Sequence, residues 1–154
     1  MKKIAIAFAA ILMATSVHAQ TISPGGFHAA FPCEVKRAGD GIKSITAWCV
    51  NADGAFRVDV SVNAPGASDE DAFKAAIDAV GKDTGSAPRL QREIARNGQK
   101  GREIITDIAS QGFTERDQFW TINGILYRVC FMGATGAETG KIATDFLESF
   151  STTP

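Results

Sequence analysis

Apolar and polar residues alternate over most of this chain, and two stretches with helical spacing interrupt the alternation. Phe27, Ala29, Phe31, Cys33 and Val35 share one side of an alternating run, which predicts a strand over 27–36. Ile45, Ala47 and Cys49 do the same over 43–50. Asn51-Ala52-Asp53-Gly54 then turns the chain into Phe56, Val58, Val60 and Val62, interleaved with Arg57, Asp59 and Ser61 as in a strand with one wet face. Four later runs, 90–95, 103–109, 114–122 and 125–132, predict strands, the last two joined by the hairpin dipeptide Asn123-Gly124. The run from Ile125 to Met132 is apolar on both parities, the pattern of a central strand covered on both sides.

The helical stretches carry their own start signals. Ser68 precedes Asp69-Glu70-Asp71, so a serine cap and three carboxylates sit at the positive end of a helix whose stripe is Phe73, Ala76, Ile77 and Val80. Capping accounts for those acids without an ion. Thr135 and Glu138 have capping-box spacing before a second stripe of Ile142, Ala143, Phe146, Leu147 and Phe150. The order is three strands, a helix, four strands and a helix. It predicts an α+β domain over 27–151, with a mostly antiparallel six- to seven-stranded sheet and two main helices, after a flexible leader at 20–26.

Residues 1–19 belong to a different kind of segment. Lys2 and Lys3 precede an apolar run from Ile4 to Ala14, and Val17-His18-Ala19 ends it in a small-x-small pattern. This predicts a signal peptide cut before Gln20 and export to the periplasm, with no membrane span left after cleavage. The whole chain of 154 residues has formal net charge -1. Without Lys2 and Lys3, 14 basic residues face 17 acidic ones, a balance of -3 that offers nucleic acid no global attraction.

An oxidising compartment changes what the cysteines mean. If the first two strands pair with Cys33 opposite Cys49, the turn centres on Gly41 within Ala38-Gly39-Asp40-Gly41, so a Cys33–Cys49 disulfide is expected, against two buried free thiols. Cys130 is then odd, and its apolar strand predicts a buried, inert thiol. A cysteine nucleophile needs a base, and beyond residue 19 the only histidine is His28.

Other chemistries fit poorly. Gly133 to Lys141 resembles a phosphate loop, but Thr135 and Ile142 replace the glycine and the hydroxyl residue that it needs. No Gly-x-Ser-x-Gly is present. Glu115 and Asp117 alternate with Arg116 and Gln118, as expected of a solvated strand face. No catalytic, cofactor-binding or metal residue is assigned. Arg89, Arg92, Arg96, Lys100 and Arg102 concentrate positive charge around one hairpin, a candidate patch for an anionic partner or else an ordinary solvated hairpin.

The layout resembles the PsbP-like and Mog-like α/β/α sandwich family, which includes DcrB-type envelope proteins. The matching features are Phe27-x-x-x-Phe31-Pro32, Phe56-Arg57-Val58-Asp59-Val60, Gly98 to Glu103, Gly124 to Val129 and Ala143 to Phe150, in that order. The resemblance implies an accessory or interaction module, as in an extrinsic photosystem II subunit or a Ran-binding factor. The expected function is therefore a noncatalytic periplasmic module, monomeric, with an envelope protein or anionic envelope component as partner. The alternative is a carrier of a small apolar or amphipathic ligand lined by Phe73, Phe119, Trp120 and Phe146.

Overall fold

The alternating runs pair into one antiparallel sheet of seven strands. In the computed structural model, which describes residues 20–22, 26–41 and 43–152, it comprises β3 (Lys36–Gly39), β4 (Ser44–Asn51), β5 (Gly54–Val62), β6 (Leu90–Arg96), β7 (Gln99–Ile108), β8 (Phe113–Ile122) and β9 (Ile125–Ala134). Their order across the sheet is β3-β4-β5-β9-β8-β7-β6, which puts β9 at the centre, as its doubly apolar sequence requires. Asn123 and Gly124 both take positive φ in the β8–β9 turn, 52° and 74°, the backbone twist that a two-residue hairpin needs. The expected signal peptide, residues 1–19, lies outside the described residues.

Two helices lie on opposite faces of this sheet. In α1 (Asp69–Thr84) the Ser68 hydroxyl accepts from the Asp71 amide while Asp71 accepts from the Ser68 amide, completing the predicted capping box. Phe73 and Val80 of α1 bury against Ile104 and Phe119. On the other face α2 (Lys141–Ser149) inserts Phe146, whose ring centre is 5.2 Å from those of both Phe31 and Phe56. That larger core runs from Ile45 and Ala47 through Val58 and Val129 to Leu147.

The first strand departs from its expected form. Pro32 has no amide hydrogen to give a ladder, and the run over 27–36 divides around it. Its start is β2 (Phe27–Ala29), in a small separate sheet; its end is β3. β3 pairs with β4 as Lys36↔Trp48 to Gly39↔Ile45, so the turn centres one residue beyond Gly41, and Cys33 lies ahead of the paired segment. The Cys33–Cys49 disulfide nevertheless forms. It pins the segment between the two sheets to β4.

Three further differences concern termini and caps. Gln20–Ile22, expected in a flexible leader, is β1 and pairs antiparallel with β2. Ser151–Thr152 is β10 and pairs with the other edge of β2, because backbone groups of so short a strand find partners on both sides. Helix α2 starts at Lys141, not near Thr135. β9 carries on to Ala134, and the Glu138 carboxylate is drawn inward to accept from the Gly136 amide and from Arg89. An ion pair between the buried Glu138 carboxylate and the half-exposed Arg89 stands in place of the expected cap.

Candidate functional site

Register places the site residues in rows across the sheet. On the face that carries α1, one row reads Val50, Ala55, Met132, Glu115 and Thr106. The next reads Trp48, Arg57, Cys130, Asp117 and Ile104. The third reads Thr46, Asp59, Arg128, Phe119 and Arg102. Helix α1 lies over β7 and β8 and seals Ile104 and Phe119. Toward β4 the same face is open, and a groove of about 440 Å³ runs there, with Trp48, Ala55 and Met132 in its walls and Glu115 and Cys130 at its floor.

Between groove and helix is a buried set of ionisable groups. Arg128 donates from Nε to Asp117 Oδ1 at 2.7 Å and from Nη2 to Glu115 Oε1 at 2.6 Å. The Cys130 thiol donates to the same Glu115 oxygen at 3.0 Å. Asp59 stands 4.0 Å from Arg128, held by the Thr46 hydroxyl and by Arg57. Asp117 has no exposed surface, and its Oδ2 has no hydrogen-bond partner.

The energetics follow from that burial. Desolvation pushes the Asp117 carboxyl up to about 7 although Arg128 pulls the other way. Burial likewise raises the Cys130 thiol well above its usual range, and the neighbouring carboxylates raise it further. Desolvation works against the charged Arg128, but Asp117 and the groups around it outweigh that and hold the guanidinium firmly protonated.

Glu115 and Asp117, expected on a solvated strand face, are both buried. Their own parity contained the signal: Phe113 and Phe119 flank them at the same alternation, and Arg128 and Cys130 share a side of the adjacent strand with Leu126 and Met132. An acid pair bracketed by apolar residues of one parity, across a hairpin from an arginine of matching parity, marks an internal ion cluster. Cys130 is buried, as its strand predicted.

The five cations of the basic hairpin divide between the two faces of the sheet. Arg92 and Arg96 do share a side, but it is the one that α2 covers. There Glu103, only 1% exposed, accepts from Arg92, from Nε and Nη2 of Arg116 and from the Gln118 amide. Arg96 donates to the Leu147 and Phe150 carbonyls at the end of α2, and its guanidinium lies 5.1 Å from the Trp120 ring centre. Arg89 pairs with Asp107 and Glu138. Arg102 is on the α1 face with Glu70, Glu93 and the Phe73 ring. All four arginines have acidic or carbonyl partners; Arg102 is largely enclosed, whereas Arg89 and Arg92 keep about half of their side chains exposed, 45% and 56%, and Lys100 is exposed.

The aromatic quartet considered for a ligand carrier is also split. Phe73 and Phe119 pack under α1, whereas Trp120 and Phe146 pack under α2, so the plane of the sheet separates them.

No protein-family model matches the chain, and no curated protein matches it in sequence. Among solved structures it is similar to cyanobacterial PsbP (CyanoP) from Synechocystis sp. PCC 6803, at a TM-score of 0.63 and 11% identity over 89% of this chain and 94% of that one. A crystal structure from Bacteroides thetaiotaomicron aligns at a TM-score of 0.41 and 16% identity, over 86% of this chain and 47% of that one. The CyanoP match gives the domain a PsbP-like fold.

Proposed function

We propose that this protein is a noncatalytic accessory module of the bacterial periplasm that acts by docking an envelope protein on the open half of its seven-stranded sheet. The PsbP-like fold supports the accessory role, and the disulfide supports an oxidising compartment. Among the described residues no helix is long and apolar enough to cross a membrane.

One observation carries the docking reading. The sheet face left open by α1 presents Trp48, Ala55 and Met132 as a half-buried apolar band ending in Val50, which is 68% exposed. A band of this kind, rimmed by Arg57 and Asp59, has the composition of a protein interface: an apolar centre with a polar edge. The occupant is a protein that lays an apolar side chain beside Trp48 and Met132.

The test places a photocrosslinking residue at Thr46 or Ala55, with Lys82 on α1 as control, in cells exporting the full chain. One protein captured from the groove positions and not from Lys82 is then purified and its affinity measured. Val50→Lys and Trp48→Ala are expected to weaken binding at least about 10-fold, the scale of an interface anchor. Unchanged affinity, capture of a second copy of this chain, or turnover of an envelope substrate that a single substitution abolishes overturns the reading.

A further inference from the structure

We propose that Glu115, Asp117 and Cys130 form a binding site for a thiophilic divalent cation of the zinc class, entered from the groove beside β4. Each residue offers one donor atom, and the three atoms lie within 4.8 Å of one another, a spacing that a single ion can span. Two come from β8 and one from β9, the two most extensively paired strands at the centre of the sheet, so the donors are held by backbone register and not by a loop.

The second observation is the orphaned oxygen. Asp117 is fully buried, yet its Oδ2 has no hydrogen-bond partner, while Oδ1 is held by Arg128. A buried carboxylate oxygen without a donor is costly, and a cation is one of the few occupants that relieves it. The groove supplies the path, since Glu115 and Cys130 line its floor with Met132 beside them.

Charge decides the kind of ion. One thiolate and two carboxylates carry three negative charges, and Arg128 returns one positive. A divalent cation balances the remaining two, so the loaded cluster is neutral in a place where an unbalanced charge is expensive. Donor chemistry narrows it further, because calcium and magnesium take oxygen ligands whereas a mixed sulfur and oxygen set suits zinc. On binding, the S–H bond of Cys130 breaks, its proton leaves to solvent and a sulfur–metal bond forms. No electrons are transferred.

This inference does not rest on the docking reading, because metal binding is measured on the isolated protein. Protein purified without reductant and stripped by a chelator is titrated with Zn²⁺ and separately with Co²⁺. The expected result is one saturable Zn²⁺ per chain and, in the cobalt form, a near-ultraviolet thiolate-to-metal charge-transfer band. Cys33 and Cys49 are disulfide-bonded, so such a band reports Cys130. Cys130→Ser is expected to abolish the band and weaken Zn²⁺ binding by more than about 100-fold, beyond the usual cost of losing an outer-shell contact. Asp117→Asn is expected to weaken binding at least about 10-fold. Absence of saturable binding, a cobalt spectrum without the band, or undiminished Zn²⁺ affinity in Cys130→Ser overturns the proposal. Should either variant fail to fold, the cobalt spectrum of the unaltered protein decides the question by itself.

Discussion

Arg116 meets Glu103 through two donors that converge on one oxygen, Nε to Oε2 at 3.0 Å and Nη2 to Oε2 at 2.9 Å, beneath the helix whose Thr144 hydroxyl and preceding Glu138 carbonyl hold the other side of the same guanidinium. One arginine thus ties β7, β8 and α2 together. Truncation of Arg116 to Met leaves Glu103 with less compensation in a nearly inaccessible place. A loss of about 1–3 kcal/mol is expected in chemical denaturation, because Arg92 and Gln118 remain on Glu103. The double variant Glu103→Leu, Arg116→Met is expected to recover part of that loss, since it removes both buried charges.

Glu103 also sets a pH dependence. Burial alone would raise its pKa, but hydrogen bonds from Gln118 and Arg116, the Arg116 charge and Arg92 together bring it below the ordinary 4.5. A folded-state pKa below the unfolded value means that the unfolded chain binds the proton first. Stability from this group is present above about pH 4.5 and is lost as pH falls through the folded-state pKa. Urea denaturation of the parent and of Glu103→Gln is therefore expected to give a stability gap that is largest near neutrality and narrows in acid. A constant gap contradicts the assignment.

The disulfide adds a covalent tie to the segment that links the two sheets. Between β2 and β3 the chain crosses from one sheet to the other, and Cys33–Cys49 is its covalent tie to β4 over a separation of 16 residues. Cys33→Ala with Cys49→Ala is expected to cost about 3 kcal/mol, the chain-entropy value for a loop of that size. Thermal unfolding with and without reductant checks it: the parent is expected to lose stability on reduction and the double variant to be indifferent.

Gly101 is required for contact and not for conformation. A Cβ at that position would come within 2.5 Å of the Phe119 carbonyl oxygen and 2.8 Å of the Trp120 ring, and the carbonyl belongs to a paired strand that cannot swing aside. Gly101→Ala is expected to cost about 1–3 kcal/mol, as overpacking does. Trp120 fluorescence is expected to shift as its ring moves, which separates this cause from a general loss of stability.

Much of the architecture follows from local signals. Asn123-Gly124 fixed one hairpin, the Ser68–Asp71 pair fixed the start of α1, and the doubly apolar run around Val129 identified the central strand. The Cys33–Cys49 pair was also legible, although Pro32 interrupts the continuous ladder that its register implied. What escaped was decided by tertiary context. Glu138 has the spacing of a cap, but Arg89, 49 residues away in sequence, takes its carboxylate instead. Glu115 and Asp117 were assigned to solvent because a charged residue on a strand usually faces it. Their burial depends on Arg128 arriving from β9, and only the register brings that guanidinium within reach. Arg92 and Arg96 of β6 share a parity, as their spacing indicates, but the groups they meet there, Glu103 and the end of α2, come from other elements.

The small sheet has a consequence for how the chain is joined up. β2 is flanked by β1 on one side and β10 on the other, with His28 opposite both Thr21 and Ser151. Two strand spacings, roughly 10 Å, therefore separate β1 from β10. Between β1 and β10 the path of the backbone is nearly a closed ring. A short linker from β10 to β1, with new ends opened at the Asp53-Gly54 turn, preserves every pairing described above while moving the entry point of synthesis to the far side of the molecule.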